Sequence, residues 1–228
     1  MKVVLLHAFP LDERMWEPQL PALVGHDVAA PNLYDLGGSS VDGWAQRILD
    51  EVEGDVVAVG ASMGGYVALA MARLAPERIR RLLFAGARPD ADSPERREGR
   101  AGTIELIERE GAPGLWENQR EKLFGEDAPE KAVELAHQMA LSREIPDLIR
   151  AIEAIRDRPD STGVLQTVPV VLAVGGGDLF FPVEEARASA EQAQSGRLVV
   201  FEHARHLPNL EEPDEFNRTL LELVASAG

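Results

Sequence analysis

Short apolar runs alternate with helix-patterned segments along most of the chain. Val3–Leu6, Val28–Ala30, Val56–Val59, Arg81–Ala85, Val168–Val174 and Leu198–Phe201 are short, mainly apolar stretches, and they read as strands. Between them, Trp16–Leu23, Val41–Val52, Ser62–Leu74, Val183–Gln194 and Pro213–Ala225 read as helices; in the second, Trp44, Ile48, Leu49 and Val52 share one face. Continuous apolar strands joined by helices predict an α/β fold. The expected core is a mostly parallel sheet of about six strands with helices on both faces.

The texture changes between residues 88 and 160. No strand-like run occurs there, charge is dense, and the apolar spacing is helical: Ile104 and Ile107, Leu115 and Leu123, Val133 and Met139, Leu148 and Ile152. Pro94, Pro113, Pro129, Pro146 and Pro159 punctuate three or four helices. A core made of 1–87 and 161–228 is therefore expected, with 88–160 inserted as a helical lid. The insertion falls where strand carboxyl ends lie, the side on which open α/β sheets bind ligands.

At 228 residues and 45% apolar, the chain can bury a full core. With no cysteine it has no disulfide, no thiolate nucleophile and no cysteine-based metal site. A formal net charge of −16 argues against nucleic acid and anionic membrane as partners. The apolar run at Met1–Leu6 is too short for a signal peptide and is ended by His7 and Pro10. A soluble cytoplasmic protein is expected.

Chemistry concentrates at Gly60-Ala-Ser62-Met-Gly64, which follows a strand and opens a helix. G-x-S-x-G in that context lifts a serine above a sheet on a sharp turn. Side chains at Gly60 or Gly64 would crowd the turn, and Ser62 is expected in a strained backbone region. A serine hydroxyl needs a base. Of five histidines, His137 reads as a solvated or packing residue of the insertion and His26 has no evident role. His203 and His206 follow the last strand. Asp178, past the Val174-Gly-Gly-Gly turn, follows another strand end and supplies the carboxylate a base requires, with Asp90 and Asp92 as rivals. The Glu202, His203 and His206 spacing does not make a metal site.

Four segments in order resemble the α/β-hydrolase superfamily, in particular its compact esterases and lactonases. His7-Ala-Phe-Pro10 resembles the oxyanion loop. Pro31-Asn-Leu-Tyr-Asp-Leu-Gly-Gly-Ser39 resembles the loop after the second strand. Gly60–Gly64 is the nucleophile elbow, and His206-Leu-Pro-Asn-Leu-Glu-Glu-Pro213 with Phe216 resembles the terminal histidine motif. The resemblance implies Ser62 as nucleophile, His206 as base, Asp178 as acid, and the backbone N–H groups of Phe9 and Met63 as the oxyanion hole. It makes His7 a structural brace. Trp116 in the lid and Tyr34 are expected to line the pocket. The implied activity is hydrolysis of a small carboxylic ester or lactone through an acyl-enzyme, with no metal or organic cofactor. Perhydrolase, C–C hydrolase or hydroxynitrile lyase chemistry, or a low-turnover ligand-binding role, are the alternatives on the same scaffold. Ala8 replaces a customary glycine, Asn32, Tyr34 and Asp35 replace the usual Asp, Arg and Gly, and Arg205 precedes the base where glycine is common.

Overall fold

The computed structural model describes all 228 residues. Six strands, β1 (Lys2–Leu6), β2 (Asp27–Ala29), β3 (Val56–Ala61), β4 (Ile79–Ala85), β5 (Val170–Gly175) and β6 (Gly196–Phe201), form one sheet. Its order is β2-β1-β3-β4-β5-β6, and every pairing is parallel. β5 begins after Pro169, whose missing N–H cannot join the ladder.

Alternate strand residues face opposite layers. On one face Val4, Leu6, Val56, Ala58, Leu82, Phe84 and Leu172 pack on α1 (Val41–Glu51) and α2 (Met63–Leu74) through Trp44, Ile48, Val67 and Met71. On the other, Val3, Leu5, Val57, Val59, Leu83 and Phe201 meet Trp16, Phe216, Leu220 and Leu223. Both faces are thus covered, as a parallel sheet requires.

The region between β4 and β5 is helical. It comprises α3 (Pro94–Leu123), α4 (Glu130–Leu141) and α5 (Ile145–Arg156). α3 is broken at Gly111, which takes φ 65° and ψ −161°, just ahead of Pro113. Only glycine adopts that backbone freely, so the sequence makes two rods of one helical stretch. The neck closes where Ser161 N–H donates to Pro89 C=O at 2.8 Å. Buried Arg158 donates across it to the carbonyls of Asp90 and Ile155.

The core continues with α6 (Val183–Gln192), a four-residue α7 (Pro208–Glu211) and α8 (Pro213–Ala225). The helix expected over 16–23 is absent. Two short 3-10 turns, Glu13–Trp16 and Leu20–Leu23, stand there instead, because Pro18 and Pro21 interrupt the α-helical ladder. No helix is long and apolar enough to cross a membrane.

The chain runs from β1 outward to β2, then returns to place β3 on the other side of β1. That reversal opens a crevice between the carboxyl ends of β1 and β3. The loop holding Phe9 leaves β1 there, and Ser62 leaves β3 beside it.

Candidate active site

Ser62 caps α2 with φ 48° and ψ −113°, and it is the only non-glycine residue with positive φ. The strain expected from the motif is present. Its N–H donates to Ala85 C=O at 2.7 Å, which ties the turn to the neighbouring strand. A Cβ on Gly60 would lie 2.2 Å from Gly64 O, and one on Gly64 would lie 2.0 Å from Leu6 O. Those contacts are impossible, so both glycines are required for the turn to form.

His206 and Asp178 come from the loops after β6 and β5. Ser62 Oγ lies 2.8 Å from His206 Nε2, and His206 Nδ1 lies 2.9 Å from Asp178 Oδ2. An ionised carboxylate only accepts, so Nδ1 carries the proton and Nε2 is left to accept from the serine hydroxyl. Asp178 is itself aimed: its Oδ1 accepts from the N–H groups of Phe180 at 2.7 Å and Phe181 at 3.0 Å. His206 and Asp178 are 2% and 5% exposed. The Phe180 ring stands 4.6 Å from the imidazole, centroid to centroid.

The rival carboxylates are engaged elsewhere. Asp90 pairs with Arg88 and Arg96, and Asp92 is enclosed by Arg96, Arg100 and Arg158. His203 and His26 are exposed, and half-buried His137 packs on Trp116.

The loop after β1 holds Phe9 against the same cleft. Met63 is the first residue of α2, so its N–H has no intrahelical acceptor. At Ala8 the loop is fixed by a contact from Ala8 N–H to Met15 Sδ at 3.1 Å. His7 is fully buried; its Nδ1 lies 3.1 Å from Ala8 O, and its Nε2 accepts from Leu33 N–H at 2.9 Å. The ring therefore laces the loop after β1 to the loop after β2. Burial holds His7 well below an ordinary imidazole, at about 4, with a nearby backbone hydrogen bond opposing the shift. In that second loop Asn32 Oδ1 accepts from Tyr34 N–H at 3.1 Å, at the two positions where the resemblance has Asp and Arg.

The cleft at Ser62 is lined by Phe9, Tyr66, Arg100, Gln119, Leu123, Ile155, Phe180 and His206. Neither expected pocket residue is among them. Trp116 packs between Phe124 and His137 and lines a separate open groove of about 750 Å³. Tyr34 is buried, its ring against His7 and under the Arg143 guanidinium. Three residues that sequence reasoning did not single out shape the site. Gly86 backs the imidazole, and Arg100 and Gln119 reach the cleft from α3.

The sheet order and the serine turn after β3 define an α/β hydrolase architecture. The alpha/beta hydrolase family model matches residues 3–219, and the chain belongs to that family. It is 30% identical to the pimeloyl-[acyl-carrier protein] methyl ester esterase of Aromatoleum aromaticum, over 93% of this chain and 94% of that one. It is 26% identical to the putative carbamate hydrolase RutD of Pseudomonas savastanoi pv. phaseolicola, over 92% and 88%. Among solved structures, a thermophilic esterase from Thermogutta terrifontis with malate bound superposes with a TM-score of 0.91 at 30% identity, covering 100% of this chain and 90% of that one. The enol-lactonase of Burkholderia xenovorans LB400 shares the fold, with a TM-score of 0.84 at 23% identity over 98% and 91%.

Proposed function

We propose that the protein is a serine esterase that cleaves small carboxylic esters or lactones through an acyl-enzyme. Its esterase relatives support ester cleavage. The observation that carries the mechanism is the unbroken line of short contacts from Ser62 Oγ through His206 to Asp178, 2.8 and 2.9 Å.

Ser62 Oγ attacks the ester carbonyl as His206 Nε2 takes its proton. Asp178 holds the tautomer and stabilises the imidazolium that forms. The N–H groups of Phe9 and Met63 receive the oxyanion; each such donor is worth about 3–4 kcal/mol in the transition state. His206 then returns the proton to the leaving alcohol. Water enters, loses a proton to His206, and the same steps in reverse release the acid and restore Ser62.

The insertion serves as the lid, hinged on its neck over a core of 1–87 and 161–228. The cleft at Ser62 encloses about 30 Å³. That holds about one water, whereas ligand pockets run to roughly 300–1,000 Å³. Substrate entry therefore needs the α3 and α5 walls to move outward.

The test is a panel of short p-nitrophenyl esters and lactones run on the wild type and on Ser62→Ala, with fluorophosphonate labelling of both. Labelling of Ser62 and a loss of several orders of magnitude in kcat on Ser62→Ala are expected. Wild-type turnover by the alanine variant would overturn the reading.

A further inference from the structure

The cleft that holds Ser62 also receives Arg100 and Gln119, carried by α3 on either side of the Gly111 break. Neither belongs to the proton relay. Arg100 contacts Asp92 through Nε at 3.2 Å, and its two terminal amino groups donate to nothing in the protein. Gln119 is only 9% exposed, and its amide has no protein partner. The amide still reaches the water of the cleft and is free to pair with a bound ligand group.

Asp92 does not neutralise Arg100. Its single carboxylate also faces Arg158 at 2.8 Å and Arg96 at 3.4 Å. The four guanidiniums of Arg88, Arg96, Arg100 and Arg158 share the three carboxylates of Asp90, Asp92 and Glu185, so one positive charge is left over beside the cleft wall. This surplus sits in a chain of net charge −16, whose overall field repels anions. Long-range steering is thus not its purpose; it acts at contact. The other walls, Phe9, Leu123, Ile155 and Phe180, are apolar and strengthen any charge pairing between them.

We propose that Arg100 and Gln119 form a carboxylate-recognising subsite, and that the preferred substrates are half-esters of dicarboxylic acids. The free carboxylate would take the planar guanidinium fork and the Gln119 amide N–H, while the ester carbonyl reaches Ser62. A planar guanidinium fork can meet a carboxylate with two parallel N–H···O bonds. This inference rests on the esterase reading above.

The experiment compares kcat/KM for monomethyl glutarate with that for methyl pentanoate, which puts a methyl where the carboxylate stood. The wild type is expected to favour the charged ester by at least about tenfold, because a hydrogen bond to a charged group is worth roughly 1.5–3 kcal/mol. Arg100→Gln should collapse that ratio, Arg100→Lys should restore part of it, and Gln119→Leu should lower it several-fold. Arg109→Gln removes the same charge from an exposed position on α3 and should leave the ratio alone. A wild-type preference for methyl pentanoate overturns the subsite. So does an unchanged ratio in Arg100→Gln, or an equal change in Arg109→Gln. If Arg100→Gln fails to fold, the ratios of Arg100→Lys and Gln119→Leu decide, and two unchanged ratios overturn it. Ser62-dependent turnover with no charge preference sinks the subsite alone. Turnover that survives Ser62→Ala sinks the esterase reading instead.

Discussion

Gly86 backs directly onto the imidazole of His206: a Cβ there would lie 2.8 Å from Cε1 and 2.9 Å from Nδ1. It would also stand 3.1 Å from Asp178 Oδ2. Gly86 follows β4, and its φ of +60° is one that a side chain resists. Backbone strain and steric exclusion therefore favour the same residue. Gly86→Ala should push the ring away from Ser62 and cost about 100-fold in kcat, the scale expected when a reacting group is displaced by about 1 Å. A melting curve checks that the fold survives. Activity within threefold of wild type would show that the imidazole is not held from this side.

Asp178→Asn tests the tautomer. Asparagine can keep its Oδ1 on the Phe180 and Phe181 N–H groups, so the turn should hold its shape. Its amide nitrogen then faces His206 Nδ1. That forces Nδ1 to accept and moves the ring proton to Nε2, where it faces Ser62 instead of accepting from it. The expected loss is about 10⁴-fold in kcat with little change in thermal stability. A loss under tenfold would argue that the carboxylate plays no part in orienting the base.

The sheet and the order Ser62, Asp178, His206 were legible because they rest on local rules. A β-branched run ending in G-x-S-x-G needs no distant information, and neither does a glycine-rich turn after a strand. What escaped depends on contacts across the fold. Gly86 reads as an ordinary turn glycine until His206 is folded against it. Trp116 was expected at the pocket, but the break at Gly111 resets the helical phase, so its face could not be extrapolated from Ile104 and Ile107. Gln119 lies beyond the same break, whereas Arg100 precedes it and is masked only by its charge. In the sequence they look like solvated positions on a charged helix.

Glu211 should act as a positioning residue for the base. Its Oε1 accepts from the N–H groups of Arg205 at 3.0 Å and Leu207 at 3.2 Å, which bracket His206. Its Oε2 accepts from Gly125 N–H at 2.8 Å. Burial raises its carboxyl above the usual range, opposed by those three N–H groups and by His206. Glu211→Gln replaces one acceptor with an amino group facing a donor, a loss of about 1–3 kcal/mol. We expect kcat to fall about tenfold, equivalent to roughly 1.4 kcal/mol, with KM little changed. Glu212→Gln loosens only the exposed His203 N–H and should change neither constant. Equal effects of the two substitutions would remove the positioning role.

His7 should make stability depend on pH in a defined window. Its Nε2 already accepts from Leu33 N–H, so a second ring proton would face a donor in a dry site. The folded value of about 4 lies below the ordinary 6.5. Between those values the unfolded chain binds a proton that the folded chain refuses. Stability therefore falls as pH drops from about 6.5 towards 4, and this group has no effect above that range. At pH 4.5 the loss relative to pH 7 should be about 2–3 kcal/mol from His7 alone. His7→Gln keeps an acceptor for Leu33 without the titration. Urea midpoints of both proteins at pH 7 and 4.5 isolate the effect, since every carboxylate is common to the pair. The wild type should lose more stability than His7→Gln by that amount. Parallel losses would mean that the ring is not held neutral between the two loops.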